Sequence, residues 1–246
     1  MPNSLDDHIA FLAPHWNVVK PEGPGPFPVV VQLHGCGGCK PFQDTWSDVV
    51  REAGAAAIVV DSHAPRRISK WEAYATVCTG AQLAGRERAG DLFAALAWAR
   101  RQPWAHQDKF VAAGWSHGGW TISEALGFRD AAEMERATRL SDLPDEPLAG
   151  LAGAFLLYPY LGIAAAARAW RMQPRTLAII GGKDSVAGGK APYRVLEKSG
   201  APVQFELFEN ATHAFDEPDA RDLRVRYDPV LVARTQLLFI DFLKSL

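Results

Sequence analysis

Only three cysteines occur among the 246 residues, too few for a disulfide scaffold and without the paired spacing of a zinc site. Long apolar runs are missing too. No window approaches twenty apolar residues free of charge, so no membrane-spanning helix is expected. The stretch from Met1 to Val19 carries Asp6, Asp7 and His8 early and no continuous hydrophobic segment, so no signal peptide is expected, and a cytoplasmic location is the default. A basic excess is absent: 26 Lys and Arg stand against 28 Asp and Glu. That balance argues against a nucleic-acid partner, because binding phosphates by counterion release needs concentrated positive charge. Charged residues make up 22% and aromatic residues 10%, which excludes a disordered chain. What remains is 48% hydrophobic content over a length suited to one α/β domain spanning 1–246.

Strand and helix signals alternate from residue 16 onward, the pattern of a mostly parallel central sheet with helices on both faces. Pro28 to Leu33 is a continuous apolar run ending in the glycine loop His34-Gly35-Cys36-Gly37-Gly38. Further strands are expected at 56–60, 109–115, 152–158, 176–180 and 203–208, and helices at 42–53, 86–101, 116–127, 189–199 and 228–244. The stretch 129–147 is charged and holds Pro144 and Pro147. It is either a surface excursion with one amphipathic helix or a small cap over a site at the carboxyl ends of the strands.

Gly114-Trp115-Ser116-His117-Gly118-Gly119 is the motif that carries chemistry. G-x-S-x-G follows a strand and opens a helix here, the setting in which a sharp turn holds a serine clear of its surroundings. Side chains two positions before and two after such a serine would collide with neighbouring backbone. A serine hydroxyl needs a base, and beyond His117 the only later histidine is His213, in the loop after the last strand. The base needs a carboxylate to fix its tautomer. Asp184, in Gly181-Gly182-Lys183-Asp184 after the strand 176–180, gives the order Ser, Asp, His. The rival position after Tyr158, running to Ile163, offers no carboxylate, and Asp216 and Glu217 lie too near His213 in sequence to be the first choice. Donors for an oxyanion are expected from the backbone N–H of His117 and of Cys36. Cys36-Gly-Gly-Cys39 matches CxxC, but it lies in a glycine turn without a second pair, so no redox or metal role is expected. One bridge, from Cys78 to either Cys36 or Cys39, is compatible with the sequence.

On the HGCGG loop, Asp61-Ser62-His63-Ala64-Pro65-Arg66, the GWSHGG turn, GGKD and NATHAF, the chain resembles the α/β-hydrolases, and within them the dienelactone hydrolase family, over nearly its whole length. Dienelactone hydrolases use a cysteine nucleophile where this chain has Ser116, and carry a glutamate at the position matched by Gly35. The resemblance therefore implies a serine esterase more than a lactone-specific enzyme. The expected function is hydrolysis of a small carboxylic ester or lactone through an acyl-enzyme on Ser116, without cofactor or metal. The alternatives are a serine peptidase or thioesterase on the same scaffold, or a binding protein with a hydrolase fold. Tyr160, Trp120, Phe215 and Trp115 are candidates for an apolar substrate pocket or for core, with Trp115 assigned to core. Arg66 is expected either to meet an acidic substrate group or to stand solvated. The oligomeric state is left open.

Overall fold

Seven strands form one sheet in the order β1-β3-β2-β4-β5-β6-β7 in the computed structural model, which describes residues 4–161 and 169–246. They are β1 (Asn17–Val19), β2 (Phe27–Leu33), β3 (Ala56–Val60), β4 (Ala105–Trp115), β5 (Leu151–Leu157), β6 (Arg175–Gly181) and β7 (Val203–Phe208). Only β1 is antiparallel, pairing Val18 with Ile58 along β3; the other neighbours run parallel. Gly162 and Ile163, in the segment after β5, lie outside the described residues.

The central strands are uninterrupted apolar runs because both faces of the sheet are covered. Successive side chains alternate between the two faces. Val29, Val31, Leu33, Ile58, Val60 and Ala112 therefore face one core layer. There they meet Leu92, Phe93, Leu96, Ile122 and Leu126 from the helices α4 (Gly85–Arg100) and α5 (His117–Gly127). Val30, Ala57, Val111, Ala113, Phe155 and Ile179 face the opposite layer. Trp46, Val50, Phe239 and Phe242 of α2 (Phe42–Glu52) and α8 (Pro229–Lys244) fill that side. The outer strand β7 is open on one edge, and its burial drops accordingly.

Local signals account for the remaining helices. The Ser4 side chain caps α1 (Leu5–Leu12) by accepting from the Asp7 amide, and Leu5, His8, Ile9 and Leu12 share its buried stripe. A capping box between Ser69 and Glu72 opens α3 (Lys70–Glu72), which runs on into a π-helical turn at Ala73–Val77. The Asp130 side chain caps α6 (Ala131–Thr138), and α7 (Ala191–Glu197) begins with Pro192 in its first turn.

Residues 129–147 pack along α4. Arg86 of α4 donates to Glu133 at 2.6 Å, and Gly90 leaves room for Thr138 and Leu140. Arg100 holds the carbonyl of Pro147, and the Leu5 amide donates to Asp142. None of these residues lines the cavity described next. Among the described residues, no helix is long and apolar enough to cross a membrane.

Candidate active site

The turn between β4 and α5 sets the position of Ser116. Its backbone adopts φ 51° and ψ −108°, a conformation costing about 1–3 kcal/mol for a residue with a side chain. Neighbouring backbone holds it there. The Ser116 amide donates to Leu157, and its carbonyl accepts from the amides of Trp120 and Tyr160. The flanking glycines are required by contact. A Cβ on Gly114 would lie 2.5 Å from the Gly118 carbonyl carbon, and one on Gly118 would lie 2.0 Å from the Leu33 carbonyl oxygen.

Two loops from the far half of the sheet converge on the serine. Asp184 follows β6, and the amides of Val186 and Ala187 both donate to its Oδ1, fixing the carboxylate. His213 follows β7. Its Nδ1 donates to Asp184 Oδ2 at 2.7 Å, and its Nε2 accepts from Ser116 Oγ at 2.8 Å. A Cβ on Gly182 would meet the Glu209 carbonyl oxygen at 2.5 Å, so a glycine is needed for the two loops to approach this closely. All three side chains are largely buried, with Ser116 and His213 at 7% exposure and Asp184 at 1%. The structure therefore brings together Ser116, Asp184 and His213 in one hydrogen-bonded line.

The line opens into a cavity of about 480 Å³. Gly35, Cys36, Gly37 and Gly38 line it together with His117, Tyr74 and Cys78. Tyr158, Tyr160, Val186 and Ala214 also line it, and Lys40 and Glu217, with the exposed Arg221, Asp222 and Arg224, stand at the rim. Lys40 donates to Glu217 at 2.5 Å and Arg224 to Asp222 at 2.6 Å, so much of the rim charge is already paired. Cys36 and His117 both line the cavity that Ser116 opens into. His117 is the first residue of α5, where the helix supplies no carbonyl for the leading amides. A side chain at Gly35 would begin 3.6 Å from the Ser116 Cβ, so position 35 directly faces the serine.

Of Tyr160, Trp120, Phe215 and Arg66, Tyr160 alone lines the cavity; Trp115, assigned to core, borders it as well but is only 1% exposed. Trp120 is 1% exposed, donates to Glu124 and covers the backbone of Gly85, so it is core. Phe215 is fully buried against Tyr158 and Phe208. Arg66 makes a bidentate pair with the buried Asp91 at 2.8 and 3.0 Å, and donates to the Ser62 carbonyl. Pairing with Arg66 and His8 holds the Asp91 carboxyl well below the usual carboxylate range, although burial opposes this. A guanidinium so engaged is not available to a substrate.

One feature escaped the sequence, and one alternative it left open is decided. Asp216 is a buried anchor, with Oδ2 accepting from the indoles of Trp46 and Trp115 and Oδ1 from the Tyr158 hydroxyl. It ties the His213 loop to the strands that carry the serine. Burial raises its carboxyl, while the three donors oppose that shift. Cys36 pairs with Cys78 in a disulfide, and Cys39 is free and exposed. Among the described residues, no group of His, Cys, Asp and Glu has a metal-site arrangement.

No family model matches the chain, and no curated protein matches it by sequence. Solved structures do. A dienelactone hydrolase-like promiscuous phosphotriesterase from metagenomic libraries superimposes with a TM-score of 0.65 at 20% identity, over 91% of this chain and 88% of that one. The dienelactone hydrolase of Anabaena variabilis gives 0.62 at 20% identity, over 94% and 90%. Esterase 2 of Thermogutta terrifontis gives 0.66 at 17% identity, over 94% and 88%. The chain thus has the α/β-hydrolase fold, in the form seen in dienelactone hydrolases and related esterases.

Proposed function

We propose that the protein is a serine hydrolase of the dienelactone hydrolase type that cleaves carboxylic esters or lactones. The observation that carries this is the hydrogen-bonded line from Ser116 Oγ through His213 to Asp184 at the floor of a cavity. Asp184 holds the imidazole with its proton on Nδ1, leaving Nε2 as the base. As Ser116 Oγ attacks the acyl carbon, its proton passes to Nε2 and the carbonyl oxygen becomes an oxyanion. The amides of Cys36 and His117 stabilise that charge, and the α5 amino terminus adds its dipole. The imidazolium then protonates the departing alkoxide, leaving an acyl-enzyme. Water repeats the cycle, with His213 taking its proton and Ser116 leaving as the alcohol. The small-molecule substrate fits a cavity with an aromatic wall at Tyr158 and Tyr160.

Esterase 2 of Thermogutta terrifontis is known in a form phosphorylated by paraoxon, and by analogy an organophosphorus probe suits this chain. Intact-mass spectrometry after fluorophosphonate treatment, with peptide mapping, tests the proposal. A single adduct on Ser116 that is lost in Ser116→Ala, together with turnover of 4-nitrophenyl esters, is the expected result. Ester turnover that survives Ser116→Ala overturns the mechanism.

A further inference from the structure

We propose that Arg88 is a positioning residue for the oxyanion hole, its one guanidinium bracing both donor strands of the hole from beneath; the inference rests on the hydrolase reading above. Arg88 stands in the first turn of α4 and is completely buried. Its Nη1 donates to the His34 carbonyl at 2.7 Å and to His117 Nδ1 at 3.2 Å, and its Nε donates to Ser62 Oγ at 2.8 Å. His34 ends the β2 approach to the loop and lies two residues before Cys36. His117 supplies the second amide. One planar group therefore links the two chain segments whose amides must converge on a single oxygen, and the Ser62 hydroxyl at the end of β3 fixes the plane.

The surroundings suit a brace. Arginine offers donors in a rigid fork, whereas lysine offers a single mobile ammonium. Arg88 makes no direct ion pair among the described residues, since the nearby Asp91 is engaged by Arg66 and His8. Burial lowers the Arg88 guanidinium to about 10, which leaves it charged at neutral pH. Burial, reinforced by the Arg88 charge, holds both His34 and His117 well below the ordinary histidine range. Neutral His117 can then accept at Nδ1, as the contact requires. His34 Nδ1 donates to the Gly35 carbonyl and its Nε2 accepts from the Ser62 amide, so the His34 ring extends the same support into the loop.

A guanidinium that sets the spacing of two amides acts on the transition state, where the charge appears, and leaves ester binding largely alone. The test measures kcat, KM and inhibition by an aryl trifluoromethyl ketone for wild type, Arg88→Lys, Arg88→Met and Ser62→Ala. The ketone forms a hemiketal with Ser116 whose oxyanion occupies the hole. A misplacement of about 1 Å in such a site costs on the order of 100-fold. For Arg88→Lys we expect kcat to fall by roughly 10- to 100-fold, KM to move less than about threefold, and the ketone inhibition constant to rise in step with the loss of kcat. Arg88→Met loses more. Ser62→Ala, which keeps the fork but frees its Nε, moves the same way by less and decides the matter if the Arg88 variants do not fold by circular dichroism.

Variants with kcat near wild type, or a fall in kcat with ketone inhibition unchanged, overturn the inference. So does a rise in KM alone. Wild-type protein inert to both ester and fluorophosphonate overturns the hydrolase reading itself, and this inference with it.

Discussion

Two buried carboxylates stand within reach of the His213 loop, and exchanging each for its amide separates their roles. Asp184 Oδ1 takes two backbone amides and Oδ2 takes the His213 proton. In Asp184→Asn the carbonyl oxygen stays with the two amides and the NH2 group faces His213 Nδ1. The imidazole must then turn its other tautomer toward Ser116, and the base is lost. Turnover should fall by about 10⁴-fold, with stability nearly unchanged. At Asp216 the geometry predicts the reverse. An asparagine there keeps one oxygen for the two indoles and offers its NH2 to the Tyr158 oxygen, which leaves the Tyr158 hydroxyl proton as the one donor of the three without its acceptor. Asp216→Asn should cost about 1–3 kcal/mol and less than about tenfold in rate. Asp216→Ala orphans three buried donors at about 1–3 kcal/mol each, so a loss of about 3–6 kcal/mol is expected once the relief of burying the charge is counted. Urea unfolding and ester turnover on the same preparations measure both effects. If Asp216→Asn abolishes turnover while Asp184→Asn keeps it, the acid of the triad is Asp216 and the assignment made here is wrong.

Stability should decline as the pH falls below about 6.5, because His34, His63 and His117 are neutral in the fold and protonate on unfolding. Burial, with the nearby Arg88 charge, lowers His63 to about 4; that shift amounts to about 3 kcal/mol lost between pH 6.5 and 4, at about 1.4 kcal/mol per unit. Urea midpoints across this range, compared with His63→Gln, check it; identical pH profiles would refute it. Gly118→Ala should destabilise by about 3 kcal/mol or more and abolish fluorophosphonate labelling, since its Cβ strikes backbone. Gly54→Asn, at φ 83° with open space around it, should leave labelling intact, and equal behaviour of the two would contradict the contact argument. Cys36 and Cys78 are 42 residues apart, so Cys78→Ser should cost about 4 kcal/mol on the chain-entropy account. It should also lower turnover by loosening the Cys36 loop, while Cys39→Ser does neither; thermal melts and ester rates check both.

Much of the framework was legible because it rests on local pattern. The strands 28–33, 56–60, 152–158, 176–180 and 203–208 each appear within a residue or so of their expected bounds. The strands 56–60, 152–158 and 176–180 are almost wholly apolar, and glycine or aspartate marks several strand ends. The strand expected at 109–115 begins earlier, at Ala105, because the polar residues His106 to Asp108 lie where the sheet meets solvent. Ser116, Asp184 and His213 were legible because each follows a strand at the same edge of a parallel sheet. Contacts between distant residues were not. Phe215 lies two residues past His213 yet faces the core, and Trp120 follows the serine by four yet faces Gly85. Nothing local reveals that Arg66 is claimed by Asp91, 25 residues on, or that Cys78 reaches Cys36 and not Cys39. Helix α1 is announced by Ser4, Asp6 and the Leu5, Ile9, Leu12 spacing, but its 8 residues make too few turns for the period to stand out.

The disulfide joins the wall that carries Tyr74 to the loop that carries the Cys36 amide. Tyr74 and Cys78 border the cavity, and the cross-link tethers their segment to the loop that faces Ser116. On the proposed mechanism, displacing that segment would move the Cys36 amide with it, so a substrate that pushed it aside would bind only at the expense of its own reaction rate. The cross-link thus makes the entrance a gauge: discrimination by size would appear in the speed of acyl transfer as well as in affinity, and reducing the bond would widen tolerance while slowing every substrate.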